Sequence, residues 1–148
     1  MDMEAICDGI AARYAPGTIG TPTGAIAMRA AYGQAPHSMP STPSVVVMPQ
    51  TGDVIYESGA WQVTHSIDVL FYLSKAPGDV ERVETQRQKW LPLLLGALNG
   101  KLTVGLAYVK SVMPVSYEFT ELPYGGDSYD GIRITVSAIV RETVTLAP

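Results

Sequence analysis

The side chains of this sequence that could carry out acid–base, nucleophilic or metal chemistry are few and far apart. The chain has two histidines, His37 and His65, and one cysteine, Cys7. Zinc sites need about four His or Cys ligands at close spacing, so these residues cannot form one. Cys7 with a histidine base would be a thiol nucleophile. It lies, however, beside a helical stripe that includes Ile6 and Ile10, and we expect it to be a packed hydrophobic residue.

Three carboxylates deserve the same test. His65 falls on the apolar face of a predicted strand and Asp68 on the opposite face, so we expect the two not to meet. His65 is then a core or interface histidine. Asp127 and Asp130 flank a turn-rich segment and could bind a divalent cation. Their spacing matches no EF-hand, and Asp is an ordinary turn residue.

Phosphate and nucleic-acid motifs are also missing. The segment Tyr124-Gly125-Gly126 lacks both the GxGxxG pattern and a Walker lysine, and it precedes a strand rather than a helix. No Gly-x-Ser-x-Gly sequence is present. Four tyrosines could stack on bases, but no Lys or Arg occurs between Lys110 and Arg133 to bind the phosphates. These tyrosines are Tyr108, Tyr117, Tyr124 and Tyr129. We therefore predict no enzyme, no cofactor and no metal.

The composition predicts a surface with few charged side chains, and we expect such a surface to be covered by something else. The chain has 148 residues, of which 47% are hydrophobic and only 16% charged; an average soluble domain has about 25% charged residues. Its net charge of −4 is opposite to that of a protein that coats nucleic acid. We predict one domain over residues 1–148.

The N-terminus and the single cysteine bear on cellular location. Met1-Asp2-Met3-Glu4 is acidic where a signal peptide would be basic. The most apolar helical stretch, Leu91 to Leu98, falls far below the roughly 20 residues of a membrane span. Cys7 alone cannot form an intramolecular disulfide. We expect a soluble protein of a reducing compartment, with no membrane association.

The predicted elements begin with a short helix over Asp2–Tyr14, ended by Pro16 and Gly17. Residues 15–44, called the excursion here, hold nine prolines and glycines in thirty positions. We expect a long loop there, with one short strand near Ala25–Ala31, that docks onto a partner. Deleting Thr18 to Thr42 would then leave the monomer folded and abolish assembly.

The middle of the chain predicts two strands and a helix. Val45–Met48 is a short strand that Pro49 ends, followed by a turn over Gln50–Asp53. Trp61–Leu73 alternates apolar and polar residues, which predicts an antiparallel strand with one face on a core. Its far end is covered on both sides, because Leu70 and Tyr72 interrupt the polar face.

The predicted helix begins at the N-cap Asp79 and places Val80, among other apolar residues, on its packed face. Pro92 is expected to kink it. Asn99-Gly100 is expected to end it.

The last third predicts a hairpin. One strand runs through Val115–Thr120, a long loop covers Pro123–Tyr129, and a closing strand turns Ile132 to Val140 inward at every second position. The fold class is α+β: a mostly antiparallel sheet with a short N-terminal helix and one long helix packed on one face. Nine candidate interface residues come from the excursion and the hairpin tip: Ile26, Met28, Arg29, Tyr32, His37, Met39, Tyr124, Asp127 and Tyr129.

The layout of these elements resembles the tail terminator proteins of long-tailed bacteriophages, the gpU-like neck proteins. The resemblance rests on the N-terminal helix, the Pro43-led strand, the alternating strand Trp61–Leu73, the helix Asp79–Leu98 and the hairpin through Tyr124-Gly125-Gly126 to Val136. It implies a virion protein, made in the host cytoplasm, that forms a ring, with a hexamer expected. The ring would end tube polymerisation and contact the tail-tube protein and the head-completion (stopper) protein.

The resemblance also implies that genomic DNA passes through the ring without specific binding. An acidic lumen suits this role, because like charge keeps DNA off the wall; a lumen lined by Arg29, Arg133 and Arg141 would not. A head–tail stopper or adaptor and a tail-tube subunit remain alternatives. A small-ligand-binding or enzymatic α+β domain is an alternative of another class, and it requires a concave polar pocket near His65 or Asp127.

Overall fold

The computed structural model describes residues 1–38, 41–57, 59–99 and 103–143. Its sheet has five strands in the order β1-β2-β3-β5-β4, and all neighbours are antiparallel except β1 and β2. This confirms the α+β class and the predicted order of elements, including a short strand in the excursion. The elements are α1 Met3–Arg13, β1 Ala30–Tyr32, β2 Ser44–Glu57, β3 Ala60–Lys75, α2 Val80–Gly96, β4 Val109–Tyr124 and β5 Asp127–Thr143.

The centre of the sheet is the long antiparallel pair β3 and β5. Ile67, Val69 and Phe71 of β3 are fully buried and lie opposite equally buried residues of β5. Because strand side chains alternate between faces, these residues share one side of the sheet. We call it the helix face, since the buried residues of α1 and α2 belong to the same core cluster. The other side is called the open face.

Both helices begin at an aspartate N-cap, and the sequence predicted the one at Asp79. The Asp2 side chain accepts a hydrogen bond from the Ala5 N–H (3.1 Å), and the Asp79 side chain accepts one from the Arg82 N–H (3.0 Å). Each cap satisfies an N–H that the first helical turn leaves without a partner. Trp90 of α2 packs on the sheet, with its ring centroid 5.1 Å from that of Phe71.

Two predictions about α2 are wrong in detail. Val80 is 78% exposed, because it sits in the first turn, before the helix reaches the core. The helix ends at Gly96, before the predicted Asn99-Gly100 stop, and Pro92 lies inside it. Gly100 lies outside the described residues.

One buried arginine ties α2 to the sheet. The Arg87 guanidinium donates hydrogen bonds to the backbone carbonyls of Gly131 (3.1 Å) and Thr120 (2.9 Å), and it lies 3.9 Å from the Asp130 carboxylate. That carboxylate also accepts the N–H of Gly78 (3.1 Å). The charge is therefore buried next to hydrogen-bond acceptors and a carboxylate, as a buried arginine requires.

The strand β2 corrects the prediction of a short strand followed by a turn. It continues past Pro49 as one strand paired with β3, and the predicted turn Gln50–Asp53 is part of the strand. The register shifts between Pro49 and Thr51, which marks a β-bulge. Proline is tolerated there because an edge strand does not need every N–H for its ladder.

The β4–β5 hairpin corrects the prediction of a long loop over Pro123–Tyr129. Tyr124 pairs directly with Asp127, so only Gly125 and Gly126 form the turn. Both have positive φ angles, 58° and 87°. Two such residues are what a type I′ hairpin turn requires, and glycine adopts them without steric cost.

The excursion contributes to the core, which the sequence did not predict. Its strand β1 lies later than expected and pairs in parallel with Ser44–Val46 of β2. Met28 is only 4% exposed and belongs to the main core cluster. Deleting Thr18 to Thr42 is therefore expected to destabilise the monomer, contrary to the prediction from sequence, because it removes both β1 and Met28.

A second, smaller cluster covers the open face at one end of the sheet. Tyr72 lies at its centre, with ring centroids 5.6 Å from those of both Tyr124 and Tyr129. The buried members are Val46, Leu70, Tyr72, Leu122 and Tyr129. This confirms that the far end of β3 is covered on both sides.

The two faces of β3 predict different responses to the same substitution. Ile67→Asp places a carboxylate in the helix-face core and is expected to cost at least about 4 kcal/mol, enough to unfold a marginal domain. Ser66→Asp, one residue away on the open face, is the matched control and is expected to cost less than about 1 kcal/mol. Urea unfolding followed by circular dichroism measures both. Equal stability of the two variants would show that the assignment of faces is wrong.

Candidate functional site

The titratable groups singled out from the sequence do not converge. His65 lies on the helix face, where its Nε2 is 3.0 Å from the Sδ of Met1. Partial burial lowers its pKa below the usual value, because the protonated ring would lose water. Asp68 lies on the open face, 3.8 Å from the guanidinium of Arg133. The expectation that His65 and Asp68 do not meet is confirmed.

The two turn carboxylates are also separate. Asp127 lies 3.6 Å from the ammonium of Lys75, while Asp130 is engaged by Arg87 and the N–H of Gly78. Each carboxylate therefore has a cation of its own. Across residues 1–38, 41–57, 59–99 and 103–143, no group of three or more His, Cys, Asp or Glu is arranged to hold a metal ion.

Cys7 lies in the core, with 2% of its surface exposed. Burial, and to a lesser degree the neighbouring Asp8 carboxylate, raise the pKa of its thiol to about 11. A catalytic thiol has a lowered pKa instead, since the thiolate is the nucleophile. The environment of Cys7 thus favours packing over chemistry.

The surfaces that do stand out are the two edges of the sheet. Strand β4 is outermost on one side and pairs only with β5 in the described part of the chain. Three of its apolar side chains are more than half exposed: Met113 (51%), Val115 (58%) and Tyr117 (53%). An edge strand also leaves backbone N–H and C=O groups without a strand partner. We call this surface the β4 edge.

The opposite side of the sheet has a second edge. β1 covers only Ser44–Val46, so β2 from Val47 onward has a strand on one side only within the described residues. Val54, Ile55 and Tyr56 are each more than half exposed. Exposed apolar residues that lie next to one another mark interaction surfaces. We call this surface the β2 edge.

An open apolar groove of about 300 Å³ lies on the helix face along the β2 edge. It is lined by residues of α1 and β2 and by the segment 33–35. Within this lining, the Gln34 amide donates a hydrogen bond to the Glu4 carboxylate (3.3 Å). We call it the α1 groove; its lining residues are Met3, Glu4, Cys7, Gly33, Gln34, Ala35, Val47, Met48 and Pro49.

A smaller cavity of about 110 Å³ lies between the excursion and the start of α2. Ile26, Pro43, Arg82 and Gln86 are among its lining residues. Pockets for small organic ligands usually measure about 300 Å³ or more. Neither this cavity nor the α1 groove is lined by His65 or Asp127, where a ligand-binding domain was expected to have its pocket.

The predicted interface residues are dispersed. Met28 and Tyr129 are buried within the chain, so they cannot contact a partner in this conformation. Tyr32 and Tyr124 pack against the open-face cluster, and the Tyr124 hydroxyl donates a hydrogen bond to the carbonyl of Pro36. Met39 lies outside the described residues. The exposed members are Ile26, Arg29, His37 and Asp127.

The exposed residues of both edges were missed by sequence reasoning. A signal was present in Val54-Ile55-Tyr56, three consecutive apolar residues between the charged residues Asp53 and Glu57. Alternation places such a run on both faces of a strand, so no single core can cover it. Of the helices described, neither is long and apolar enough to span a membrane.

The environment of Cys7 predicts slow thiol chemistry. At pH 8, reaction of the folded protein with an aromatic disulfide reagent is expected to be at least about 100-fold slower than after unfolding in urea, because of burial and the raised pKa. Absorbance of the released thiolate measures both rates. Similar rates in both states would show that Cys7 is accessible and reactive.

Comparison with known proteins assigns no family to the chain. The sequence matches no protein-family model, and a search of curated proteins found no match.

Proposed function

We propose that this protein is a structural subunit that acts by assembling into a closed ring. The observation that carries the proposal is a pair of sheet edges on opposite sides of one chain, β4 and β2 from Val47 onward, each without a strand partner on its outer side among the described residues and each with more than half-exposed apolar side chains. Two different surfaces that fit each other make a heterologous contact. Such a contact repeats from copy to copy and closes into a ring when the rotation allows it.

Within this class we propose a tail terminator, on the basis of the resemblance of the layout. The ring would sit at the head-proximal end of a phage tail, stop polymerisation of the tail tube and receive the head-completion protein. A hexamer is the expected assembly, in the virion and, before that, in the host cytoplasm. A stopper, an adaptor or a tail-tube subunit would use the same kind of contact.

The charge of the chain supports passage of DNA through such a ring. A net charge of −4 disfavours adhesion of a polyanion. Arg133 is engaged by two carboxylates, with Asp68 at 3.8 Å and Glu118 at 3.7 Å, so its charge is compensated on the open face. We propose that acids outnumber bases on the lumen wall.

A small-ligand-binding domain is less well supported. Its expected pocket near His65 or Asp127 is not among the cavities described above. Asp127 is paired with Lys75, and Asp130 is paired with Arg87. The α1 groove is open and mainly apolar, which suits a protein side chain better than a polar metabolite.

Negative-stain electron microscopy of the purified protein tests the proposal. We expect closed rings one subunit in height, and we expect that adding the protein to polymerising tail tubes shortens them. Long tubes formed by the protein alone would identify a tube subunit instead. Particles of monomer size at high concentration, with no effect on tubes, would contradict a ring-forming function altogether.

A further inference from the structure

The pairing registers of the sheet place residues of the β2 edge and the β4 edge at equal heights. Following the partners from β2 through β3 and β5 to β4 links Val47 to Tyr117 and Thr51 to Met113. Asp53 is linked in the same way to Ser111, the neighbour of Lys110. The height of a residue is its position along the direction of the strands, and residues that pair across the sheet have equal heights.

A rotation about an axis parallel to the strands moves each copy sideways without changing any height. β2 and β4 run in opposite directions, because three antiparallel pairings separate them. The β4 edge of one copy would therefore meet the β2 edge of the next copy in antiparallel orientation. From Val47 onward, where β1 does not cover β2, residues at equal height would face each other, as in a sheet that continues across the boundary.

We propose that the ring contact is this antiparallel junction, in which Tyr117 of one copy lies opposite Val47 of the next and its ring occupies the α1 groove. This inference rests on the proposed ring function and names the surfaces that would form it. The occupant of the groove is a second copy of this chain.

The faces and shapes of the two edges agree with this junction. Tyr117 pairs with the fully buried Ile134, so its side chain is on the helix face. Val47 and the α1 groove are on the same face. Tyr117 is 53% exposed although it pairs with a fully buried residue. The α1 groove, at about 300 Å³, is large enough for an aromatic ring.

The charges of the two edges also agree with it. Between Ser44 and Gln62 the only charged residues are the acids Asp53 and Glu57. Two β2 edges would therefore contribute acids and no bases to a shared boundary, which gives like edges no favourable charge contact. On the β4 edge, the exposed Lys110 is next to Ser111, which lies at the height of Asp53. Opposite charges at neighbouring heights favour the β2–β4 junction.

A cysteine cross-link tests the register directly. Thr51 and Met113 are exposed and both lie on the open face, since each pairs with a serine of that face. Within one copy, three strand spacings separate them, about 14 Å. A disulfide needs Cα atoms within about 7 Å, so it can form only between copies. The variant Thr51→Cys/Met113→Cys, in a Cys7→Ala background, is therefore expected to give a ladder of covalent oligomers.

The matched control is Thr51→Cys/Glu118→Cys. Glu118 is exposed on the same face of β4, but its height is that of Val46, about 15 Å away along the strand. After mild thiol oxidation, non-reducing electrophoresis should show at least about tenfold more cross-linked material for the first pair than for the control.

Charge reversal gives a second measurement. Asp53→Lys and Lys110→Asp should each raise the concentration needed for half-assembly about tenfold, and the double variant should restore assembly. Rings that form normally but cross-link equally, or not at all, with both cysteine pairs would overturn this junction and leave the ring function standing. A wild-type chain that stays monomeric would overturn both.

Discussion

A flat, open sheet has two edges, and each edge strand leaves backbone donors and acceptors without a strand partner. Soluble monomers protect such edges with short strands, charges, prolines or bulges. Here the protection is partial. β1 covers three residues of β2, and bulges occur near Pro49 and Pro114. The stretch Thr51–Tyr56 has none of these devices apart from Asp53, and it carries exposed apolar side chains. The requirement to cover these edges underlies the proposed assembly.

Side chains on the edge strands are exposed because the helices cover only part of the sheet. A strand of 16 residues such as β3 is about 50 Å long, whereas α2 with 17 residues is about 25 Å. The bonds of Arg87 to the backbone of β4 and β5 anchor α2 near one end of the sheet. The hairpin end of β2 and β3 extends past this layer. Tyr56 and Trp61 contact each other there edge to face, with ring centroids 6.1 Å apart, and both remain largely exposed.

The sequence predicted the elements that depend on local periodicity. The alternation of β3 and β5 and the N-cap Asp79 are local patterns, and each one is confirmed. Pro49 and the Gly125–Gly126 turn were misjudged, because the pairing partner decides whether a proline or glycine ends a strand. Pairing with β3 continues β2 past Pro49. Pairing of β4 with β5 leaves only two residues in the turn, where the sequence predicted a loop over Pro123–Tyr129.

The candidate site was less predictable than the fold. Exposure of Val115 or Tyr117 depends on which strand is outermost and on how far the helices reach, and neither can be inferred from local sequence. The prediction for Met28 was wrong in the opposite direction. Its Pro- and Gly-rich surroundings favoured a surface loop, but Met28 packs in the core. The resemblance to tail terminators remains a prediction.

Self-association is the central claim, and the mass of the protein in solution tests it most directly. Sedimentation velocity over a hundredfold range of concentration would give that mass without any partner or substrate. The account predicts a discrete species at an integral multiple of 15.8 kDa, with no larger polymer. A single 15.8 kDa species at every concentration would contradict it.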